Sequence, residues 1–437
     1  MSYKEDRRGT MNTTKHIISN IKKGNLDERI LDIYVDKDKV TYQRQRYIDA
    51  ILAYEKFFGE EDEVFIYSAP GRSEIGGNHT DHQNGVVLAA AINEDAIAIV
   101  KPLEERKVII ISKGYDQITV SLDNLAMKES EKESTLALIK GVLAGTKERG
   151  YKIGGYQAYI TSDVLVGAGL SSSAAYETII GTILSGLYNE SSIPPTQIAM
   201  IGQYAENVYF GKPCGLMDQM SCSVGNLTYI DFMQPGNPKV EKIELDLNAY
   251  GYSLCITNTR GSHADLTEDY AAIPEEMKKV AHFFEKDVLV KVTKKELLEN
   301  MATLREKVGD RPVLRAIHFL EENERVKREV EAIKEKDIDE FLRIVKESGD
   351  SSFKYLQNIY SNHDVKRQNI SIALAVSDMY LGREGVSRVH GGGFAGTIQA
   401  FVKNEMLDGY VNQMDQVFGK GSCNVLKIRK FGGIKVL

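Results

Sequence analysis

The sequence predicts a two-domain protein of the α+β class. Its 437 residues are enough to build two hydrophobic cores. In the first half, strand patterns alternate with helical ones, and from about Pro238 long helical patterns lead into a β-α-β-β-α-β succession. We therefore expect a helical N-terminal extension over residues 1–60, a mixed α/β domain over 61–237 and an α+β domain over 238–437.

The elements of the first half follow from the spacing of apolar residues. Residues 1–60 are polar with a helical pattern, and Glu63–Ser68 alternates like a strand that runs into a long polar loop, Ala69–Gly85. Further strands are predicted at Val86–Ile92, Asp95–Lys101, Lys107–Ser112, Gln117–Leu122, Gly155–Ser162 and Leu227–Phe232. Helices are predicted at Leu136–Arg149 and Gln197–Phe210, with a loop or helix start at Cys214–Val224.

The second half begins with a strand pattern and then becomes strongly charged. The interleaved acids and bases of Glu275–Tyr360 indicate solvated helix faces. Strands are predicted at Tyr252–Thr257, Gly385–Val389, Thr397–Val402 and Cys423–Arg429, and helices at Val365–Leu381 and Glu405–Phe418.

Composition narrows the class of partner. Hydrophobic residues make up 42% and charged residues 27% of the chain, and the net charge of -7 disfavours nucleic acid or an anionic membrane as the main partner. The four cysteines have no C-x-x-C spacing, which favours reduced thiols over disulfides or zinc. The N-terminal residues lack the apolar core of a signal peptide. We therefore expect a cytoplasmic protein that is a monomer or a small homo-oligomer.

A glycine- and serine-rich stretch, Val166–Glu177, precedes an apolar helical pattern. Its small residues allow backbone N–H groups to approach an anion, and its hydroxyls fall in the first helical turn, so the stretch predicts a phosphate site. A turn with an ordinary helix N-cap is an open alternative. A dinucleotide-binding fingerprint, with Glu190 downstream, is another, but Ser172 stands where that fingerprint needs its third glycine, and the lysine of a P-loop is absent.

Four separated segments carry a joint pattern: A-P-G-R-S-E-I-G-G-N-H-T-D-H-Q-N-G-V-V-L at 69–88, G-A-G-L-S-S-S-A-A-Y-E at 167–177, A-E-N-V-Y-F-G-K-P-C-G-L-M-D-Q-M at 205–220 and V-H-G-G-G-F-A-G-T at 389–397. Together they resemble the galactokinases, within the wider GHMP class of small-molecule kinases. The resemblance implies a two-domain GHMP kinase fold with a ferredoxin-like C-terminal domain. It also implies that ATP and Mg²⁺ lie in a cleft between the domains, with the γ-phosphoryl group passing to the anomeric hydroxyl of a sugar.

The resemblance also implies roles for individual residues. Asp218 would orient the sugar hydroxyl or take its proton, and Arg72 would pair with it and stabilise the transferring charge. Ser173 and Glu206 would hold Mg²⁺. The ATP-binding residues would be Gly167, Ala168, Gly169, Leu170, Ser171, Ser172 and Ser173. The sugar-binding residues would be Asn78, His79, Thr80, Asp81, Gly215 and Tyr270, and the glycine motif Gly391, Gly392 and Gly393 would approach the catalytic loop.

Each assignment has a plainer alternative. Taken alone, Glu206 is a solvated helix acid, Arg72 a surface arginine, Tyr270 a half-buried tyrosine and the glycine motif a β-turn. A transition-metal site formed by His79, Asp81 and His82 is disfavoured, because these residues are adjacent in sequence rather than at helical spacing.

Three residues depart from the family pattern, in which position 78 is glutamate, position 74 asparagine and position 82 tyrosine. This chain has Asn78, Glu74 and His82 instead. Because an amide both donates and accepts hydrogen bonds, these departures leave the sugar open: galactose, or another galactose-like pyranose or pentose. A non-catalytic sugar sensor is a further alternative, and a nicotinamide oxidoreductase is disfavoured by the missing third glycine.

Overall fold

A computed structural model of the chain describes residues 13–59, 63–165, 169–234, 236–261 and 266–437. It contains an eight-stranded sheet and a four-stranded sheet, each covered by helices. The prediction of a two-domain α+β fold is confirmed. Gly167 and Ala168, both predicted to bind ATP, lie outside the described residues.

The N-terminal extension is helical and well packed. Its helices are α1 Thr14–Lys22, α2 Asp27–Tyr34 and α3 Val40–Phe58. Their apolar residues share one core with the strands that follow. Beneath them the fully buried Asp95 accepts hydrogen bonds from Arg46 at 2.6 Å, from Tyr34 at 2.9 Å and from Arg429 at 2.9 Å. The extension is therefore joined to the sheet and to the end of the chain by a buried charged network.

The first sheet is built mainly from the N-terminal half. Its strands there are β1 Phe65–Gly76, β2 Val86–Leu103, β3 Lys107–Ser112, β4 Ile118–Ser121, β5 Gly155–Ser162, β6 Leu227–Asp231 and β7 Lys239–Ile243. The helices are α4 Thr135–Glu148, α5 Ser172–Tyr188, α6 Pro195–Tyr204 and α7 Met217–Val224, with a π-helical turn at Ala205–Phe210.

The remaining elements complete both sheets. The strands are β8 Tyr252–Asn258, β9 Gly385–His390, β10 Thr397–Lys403, β11 Cys423–Leu426 and β12 Ile434–Lys435. The helices are α8 Thr267–Phe283, α9 Lys294–Glu299, α10 Met301–Val308, α11 Asp310–Glu335, α12 Ile338–Ser351, α13 Asn369–Leu381 and α14 Leu407–Phe418, with a π-helical turn at Ser352–Leu356. Short 3-10 turns lie at Asp81–Gln83, Glu129–Glu131, Leu247–Tyr250, Leu289–Lys291 and Asn404–Met406.

The second sheet is antiparallel, with strand order β11-β8-β10-β9. This order, reached through helices between β8 and β9 and between β10 and β11, confirms the predicted β-α-β-β-α-β unit. Two pieces of the predicted C-terminal domain belong to the first sheet instead, because β7 pairs with β6 and β12 pairs with β1. The domain boundary predicted at residues 237 and 238 missed these strands, because pairing between distant parts of the chain leaves no pattern in the local sequence. In the described parts of the chain, no helix combines the length and apolarity that a membrane span requires.

Local differences from the prediction have identifiable causes. The polar loop predicted over 69–85 is strand as far as Gly76, because β1 continues through register shifts after Pro70 and after Glu74 that break the alternation of side chains. Val86–Leu103 is one strand rather than two. Helix α13 begins at Asn369, whereas the prediction began it at Val365.

Helix α11 carries a buried acid, Glu329, on the side that faces β1. Glu329 is fully buried against the backbone of Gly76, and neither of its carboxylate oxygens meets a hydrogen-bond partner within the described ranges. Burial, reinforced by Glu322 and only partly opposed by Arg388, holds the pKa of Glu329 well above the usual carboxyl range. The folded protein therefore retains a proton that the unfolded chain releases.

This proton makes stability fall as pH rises above the ordinary glutamate pKa of about 4.3. Glu329→Gln, which is neutral at every pH, is expected to exceed the wild type in unfolding free energy by about 1 kcal/mol or more at about pH 8 and to equal it near pH 4. Urea unfolding at both pH values measures the difference. Glu324→Gln, on the exposed face of the same helix, is the control. The prediction would be contradicted if the difference in unfolding free energy between Glu329→Gln and the wild type were the same at both pH values.

Candidate active site

The two predicted catalytic residues are in direct contact. Arg72 follows the register shift in β1, and Asp218 lies in the first turn of α7. Arg72 Nε donates to Asp218 Oδ1 at 2.7 Å across 146 positions of sequence. Arg72 is 7% exposed, whereas Asp218 is half-buried, so the carboxylate can be reached from solvent while the guanidinium is largely enclosed.

The glycine- and serine-rich stretch joins this pair. Ser171 Oγ donates to Asp218 Oδ2, and Arg72 Nη1 donates to the carbonyl of Gly169. Ser171 adopts a left-handed backbone conformation, φ +57°, immediately before α5. The turn therefore aims its hydroxyl at Asp218 and brings the start of the helix to the Arg72–Asp218 pair.

The electrostatics of Asp218 are set by two opposing effects. Burial raises the carboxyl pKa, but the Arg72 guanidinium, with the hydrogen bond from Ser171, overcomes this and holds the pKa of Asp218 below its ordinary value. Asp218 is consequently an anion at neutral pH. An ionised carboxylate in this position can accept a hydrogen bond from a hydroxyl group and orient it.

The first turn of α5 is suited to an anion. Ser172 and Ser173 are half-buried there, and Leu170 is buried beneath the turn. Unpaired backbone N–H groups and the helix dipole favour negative charge at such a terminus. The structure thus places these serines beside Arg72 and Asp218, while their predicted contact with ATP stays a prediction.

Three acidic groups lie close together behind the serine turn. Glu206, on the π-helical turn, is 5% exposed, and Gln219 Nε2 donates to it at 2.8 Å and to Glu177 at 3.1 Å. Glu177 Oε1 is buried without a hydrogen-bond partner in the described part of the chain. Burial first, then Glu206 and Asp218, hold the pKa of Glu177 well above the usual carboxyl range. Glu177 therefore retains its proton at neutral pH, which marks this part of the site as short of positive charge.

Lys212 supplies a cation at the same place. Its Nζ lies 3.6 Å from Glu206 Oε1, and its side chain is exposed. The sequence analysis gave no role to Lys212, Glu177 or Gln219, although all three stand inside the segments that carry the resemblance. Only their convergence on Glu206 distinguishes them from ordinary surface or core residues.

His79 offers one free acceptor atom. Its Nε2 lies 3.0 Å from the carbonyl oxygen of Gly392, which can only accept, so Nε2 carries the proton. Burial, reinforced by His82, lowers the pKa of His79 to about 3, so the ring is neutral. Its Nδ1 is then an unprotonated acceptor, buried and unpaired among the described residues. A bound hydroxyl is the group that would satisfy it.

Asp81 lies against the catalytic segment. Its Oδ1 accepts from the backbone N–H of His82 at 3.0 Å, and its Oδ2 faces the backbone of Gly215. A Cβ at position 215 would collide with this carboxylate oxygen. A larger residue there would displace the Asp81 carboxylate, and this close approach brings Asp81 to the segment that carries Asp218.

Two of the residues predicted to contact the sugar have side chains that are enclosed by the protein. Asn78 and Thr80 are both fully buried, and their predicted contact with the sugar stays a prediction. Thr80 Oγ1 is bonded to the carbonyls of Gly77 and Val86, at 2.9 and 2.6 Å. These side chains stabilise the loop that presents His79 and Asp81.

The glycine motif reaches the sugar loop from the second sheet. The Gly392 carbonyl accepts from His79, and the hydroxyl of Tyr270 donates to the Gly393 carbonyl at 2.7 Å. A Cβ on Gly392 would lie 2.7 Å from the ring of Tyr270. The motif is therefore packed tightly between His79 and Tyr270, and Tyr270 is partly exposed beside it.

The transition-metal alternative gains no support. Across the ranges that the structure describes, no group of three or more His, Cys, Asp or Glu side chains could hold a metal ion. His79 and His82 have tilted rings with centroids 5.6 Å apart, and one nitrogen of His79 is already committed to a carbonyl.

Comparison with known proteins gives a consistent family. The galactokinase galactose-binding signature matches residues 52–102, and the GHMP kinases N terminal domain matches residues 137–226. The galactokinase of Thermotoga maritima is 30% identical over 356 residues, covering 78% of this chain and 93% of the relative. The galactokinase of Clostridium tetani is 27% identical over 367 residues, covering 84% of this chain and 90% of the relative.

Solved structures share the fold. Lactococcus lactis galactokinase complexed with galactose superposes with a TM-score of 0.74 at 23% identity, covering 88% of this chain and 98% of that structure. The Methanococcus jannaschii mevalonate kinase has a TM-score of 0.59 at 14% identity, covering 83% of this chain and 98% of that structure. With the Thermotoga relative matched over nearly its whole length and the galactokinase signature present, this chain belongs to the galactokinase family of the GHMP kinases.

Proposed function

We propose that this chain is an ATP-dependent galactose kinase. It transfers the γ-phosphoryl group of ATP to the anomeric hydroxyl of D-galactose and yields galactose 1-phosphate and ADP. The observation that carries the proposal is the single hydrogen-bonded cluster of Arg72, Asp218 and Ser171 at the start of α5. Phosphoryl transfer asks a protein mainly to position its reactants and to neutralise charge, and this cluster combines a permanent cation, a carboxylate and a helix N-terminus.

Within the site, each residue has a distinct task. Asp218 accepts a hydrogen bond from the anomeric hydroxyl and aims its oxygen at the γ-phosphorus. As the new O–P bond forms and the bond to ADP breaks, the hydroxyl proton passes to the carboxylate or to solvent. Because the transition state is loose, orientation contributes more than basicity, which agrees with the lowered pKa of Asp218. Arg72 stabilises the charge that moves from the γ-phosphoryl group.

Mg²⁺ is the cation that fits this donor set. Ser173 and Glu206 would hold it, since both present oxygen ligands and Mg²⁺ completes its shell with water and phosphate oxygens. The buried, unpaired oxygen of Glu177 beside Glu206 supports a site that is short of positive charge. When bound, the ion neutralises phosphate charge. Lys212, which is exposed and close to Glu206, is placed to pair with the phosphates.

Sugar recognition would rest on acceptor atoms. His79 Nδ1 and the carboxylate of Asp81 would accept hydrogen bonds from the sugar hydroxyls, and the Asp81 carboxylate stands directly against the backbone of Gly215. Asn78 is bonded to Glu74, Gly391 and Asn358, so we expect its difference from the family pattern to act on these protein contacts. The selectivity expected of the family is therefore kept. The complete set of Arg72, Asp218 and Glu206 favours catalysis over the sensor alternative.

A coupled ADP-release assay with Mg·ATP tests the proposal. The substrates are galactose, talose, glucose, N-acetylgalactosamine, galacturonate and L-arabinose, with the phosphate position read by NMR. We expect galactose to exceed glucose by at least about 100-fold in kcat/KM, because a misplaced hydroxyl leaves buried acceptors unpaired. Removing divalent metal with a chelator should abolish turnover, and Mg²⁺ should restore it. Preference for another sugar would contradict the galactose assignment, and sugar and nucleotide binding without turnover would contradict the kinase.

A further inference from the structure

One face of the second sheet carries a buried polar patch, consisting of Arg388 and His390 on β9 and Thr397 and Gln399 on β10. The four residues form two cross-strand pairs, Arg388 with Gln399 and His390 with Thr397. All are at most 2% exposed. A buried sheet face is normally apolar, because unpaired polar groups are costly there. His390 Nδ1 and Thr397 Oγ1 lie 3.0 Å apart within the patch, and its other polar groups need further partners.

The partners are the residues that directly follow Arg72. Gln399 Nε2 donates to Ser73 Oγ and to the carbonyl of Glu74, both at 2.8 Å. His390 Nε2 accepts the backbone N–H of Glu74 at 3.2 Å. Arg388 donates to the carbonyl of Ile75. Three consecutive residues of β1 are thus held by the second sheet immediately beside the catalytic arginine.

The side chain of Glu74 completes this contact. Its Oε1 lies 2.5 Å from Arg388 Nη2, and both side chains are almost entirely buried. The same Oε1 accepts a hydrogen bond from Asn78 Nδ2 at 3.0 Å. Asn78 in turn donates to the carbonyl of Gly391 at 2.7 Å and accepts from Asn358 at 2.9 Å. A continuous chain of bonds therefore runs from Arg388 through Glu74 and Asn78 to the glycine motif.

The contact between Glu74 and Asn78 explains two departures from the family pattern at once. The pattern has asparagine at position 74 and glutamate at position 78, and this chain has the reverse. Because the two side chains are hydrogen-bonded to each other, the departures are one exchange rather than two independent changes. The exchange moves the only carboxylate of the pair to the position that faces Arg388.

We propose that Glu74, Asn78 and Arg388 form one positioning unit, and that Glu74 and Asn78 are an exchanged pair in which each residue requires the other. The unit sets Arg72 and His79 at a defined distance from the glycine motif. Its kinetic consequence rests on the proposed galactose kinase activity. All three side chains are fully or almost fully buried, so we assign them a positioning role rather than a catalytic one.

The test uses four full-length proteins: the wild type, Glu74→Asn, Asn78→Glu and the double variant. Asn78→Glu places a second carboxylate against that of Glu74, and Glu74→Asn removes the carboxylate that is bonded to Arg388. We expect each single variant to lose at least about 100-fold in kcat/KM for galactose, because small misplacements of catalytic groups have effects of this size. The double variant should recover to within about tenfold of the wild type. If a single variant fails to fold and the double variant folds, this outcome also shows that the second substitution rescues the first.

The variant Glu74→Gln distinguishes a positioning role of Glu74 from a role in stability alone. We expect this variant to keep its circular dichroism spectrum and to lose kcat per folded molecule, with the KM for Mg·ATP changed less than kcat. Glu384→Gln, in the exposed ion pair with Lys403 on the same sheet, is the matched control and should behave as the wild type. A Glu74→Gln protein that loses only thermal stability, with kcat unchanged, overturns the positioning role.

The exchange is contradicted if the fold-loss in kcat/KM of the double variant equals the product of the fold-losses of the two single variants. Failure of the proposed function is seen separately, as absence of galactose turnover in the wild type. In that case the unfolding midpoints of the same four proteins still decide the exchange. Midpoint losses that cancel in the double variant support it, and losses that add contradict it.

Discussion

Asp218→Asn is expected to lower kcat for galactose by about 10²- to 10⁴-fold while leaving nucleotide binding intact. The amide keeps the shape of the carboxyl group and can still accept a hydrogen bond from Arg72. It lacks the negative charge that orients the sugar hydroxyl and receives its proton. The ADP-release assay measures kcat, and calorimetric titration with ADP measures nucleotide binding.

The control comes from an exposed ion pair with the same geometry. Arg106 Nε and Asp123 Oδ1 lie 2.7 Å apart, as do Arg72 Nε and Asp218 Oδ1. Asp123→Asn should therefore leave kcat unchanged. Because the pKa of Asp218 lies below its ordinary value, kcat/KM should also show no titration of this group between about pH 5 and pH 8. Nearly unchanged turnover in Asp218→Asn would remove the aspartate from the mechanism.

Arg72→Lys is expected to lower kcat by about 10²- to 10³-fold, although it preserves the positive charge. Arg72 bonds Asp218 through Nε and the Gly169 carbonyl through Nη1 at the same time. The compact ammonium of lysine cannot reproduce this forked geometry, so the aspartate and the serine turn lose their common anchor. Steady-state kinetics with galactose and Mg·ATP, together with the thermal unfolding midpoint, measure the change.

Arg106→Lys, from the exposed pair, is the matched control for this substitution. We expect its kcat and unfolding midpoint to equal those of the wild type. The decisive feature of Arg72→Lys is a fall in kcat in a folded protein. A variant that weakens substrate binding at full kcat would show that Arg72 binds substrate without stabilising the transferring charge.

Local sequence patterns predicted much of the framework because the corresponding elements are regular. The strands at Lys107–Ser112 and Gly155–Ser162 lie where apolar spacing places them, and the β-α-β-β-α-β unit is confirmed in the second sheet. The prediction from apolar spacing was wrong where a strand is irregular or pairs with a distant part of the chain. The bulged end of β1 has no period of two, and the pairing of β12 with β1 joins residues that are far apart in the chain.

Four short motifs in the right order were enough to identify the family and to select Arg72 and Asp218, because phosphoryl transfer needs particular residue types at particular positions. Only the tertiary structure decided which of these polar side chains are enclosed by hydrogen bonds to the protein. His79 keeps a free acceptor, whereas Asn78, its neighbour in sequence, is enclosed by bonds to Glu74 and Gly391. The physical reason is that burying a polar group requires partners, and those partners come from distant strands whose approach no local pattern records.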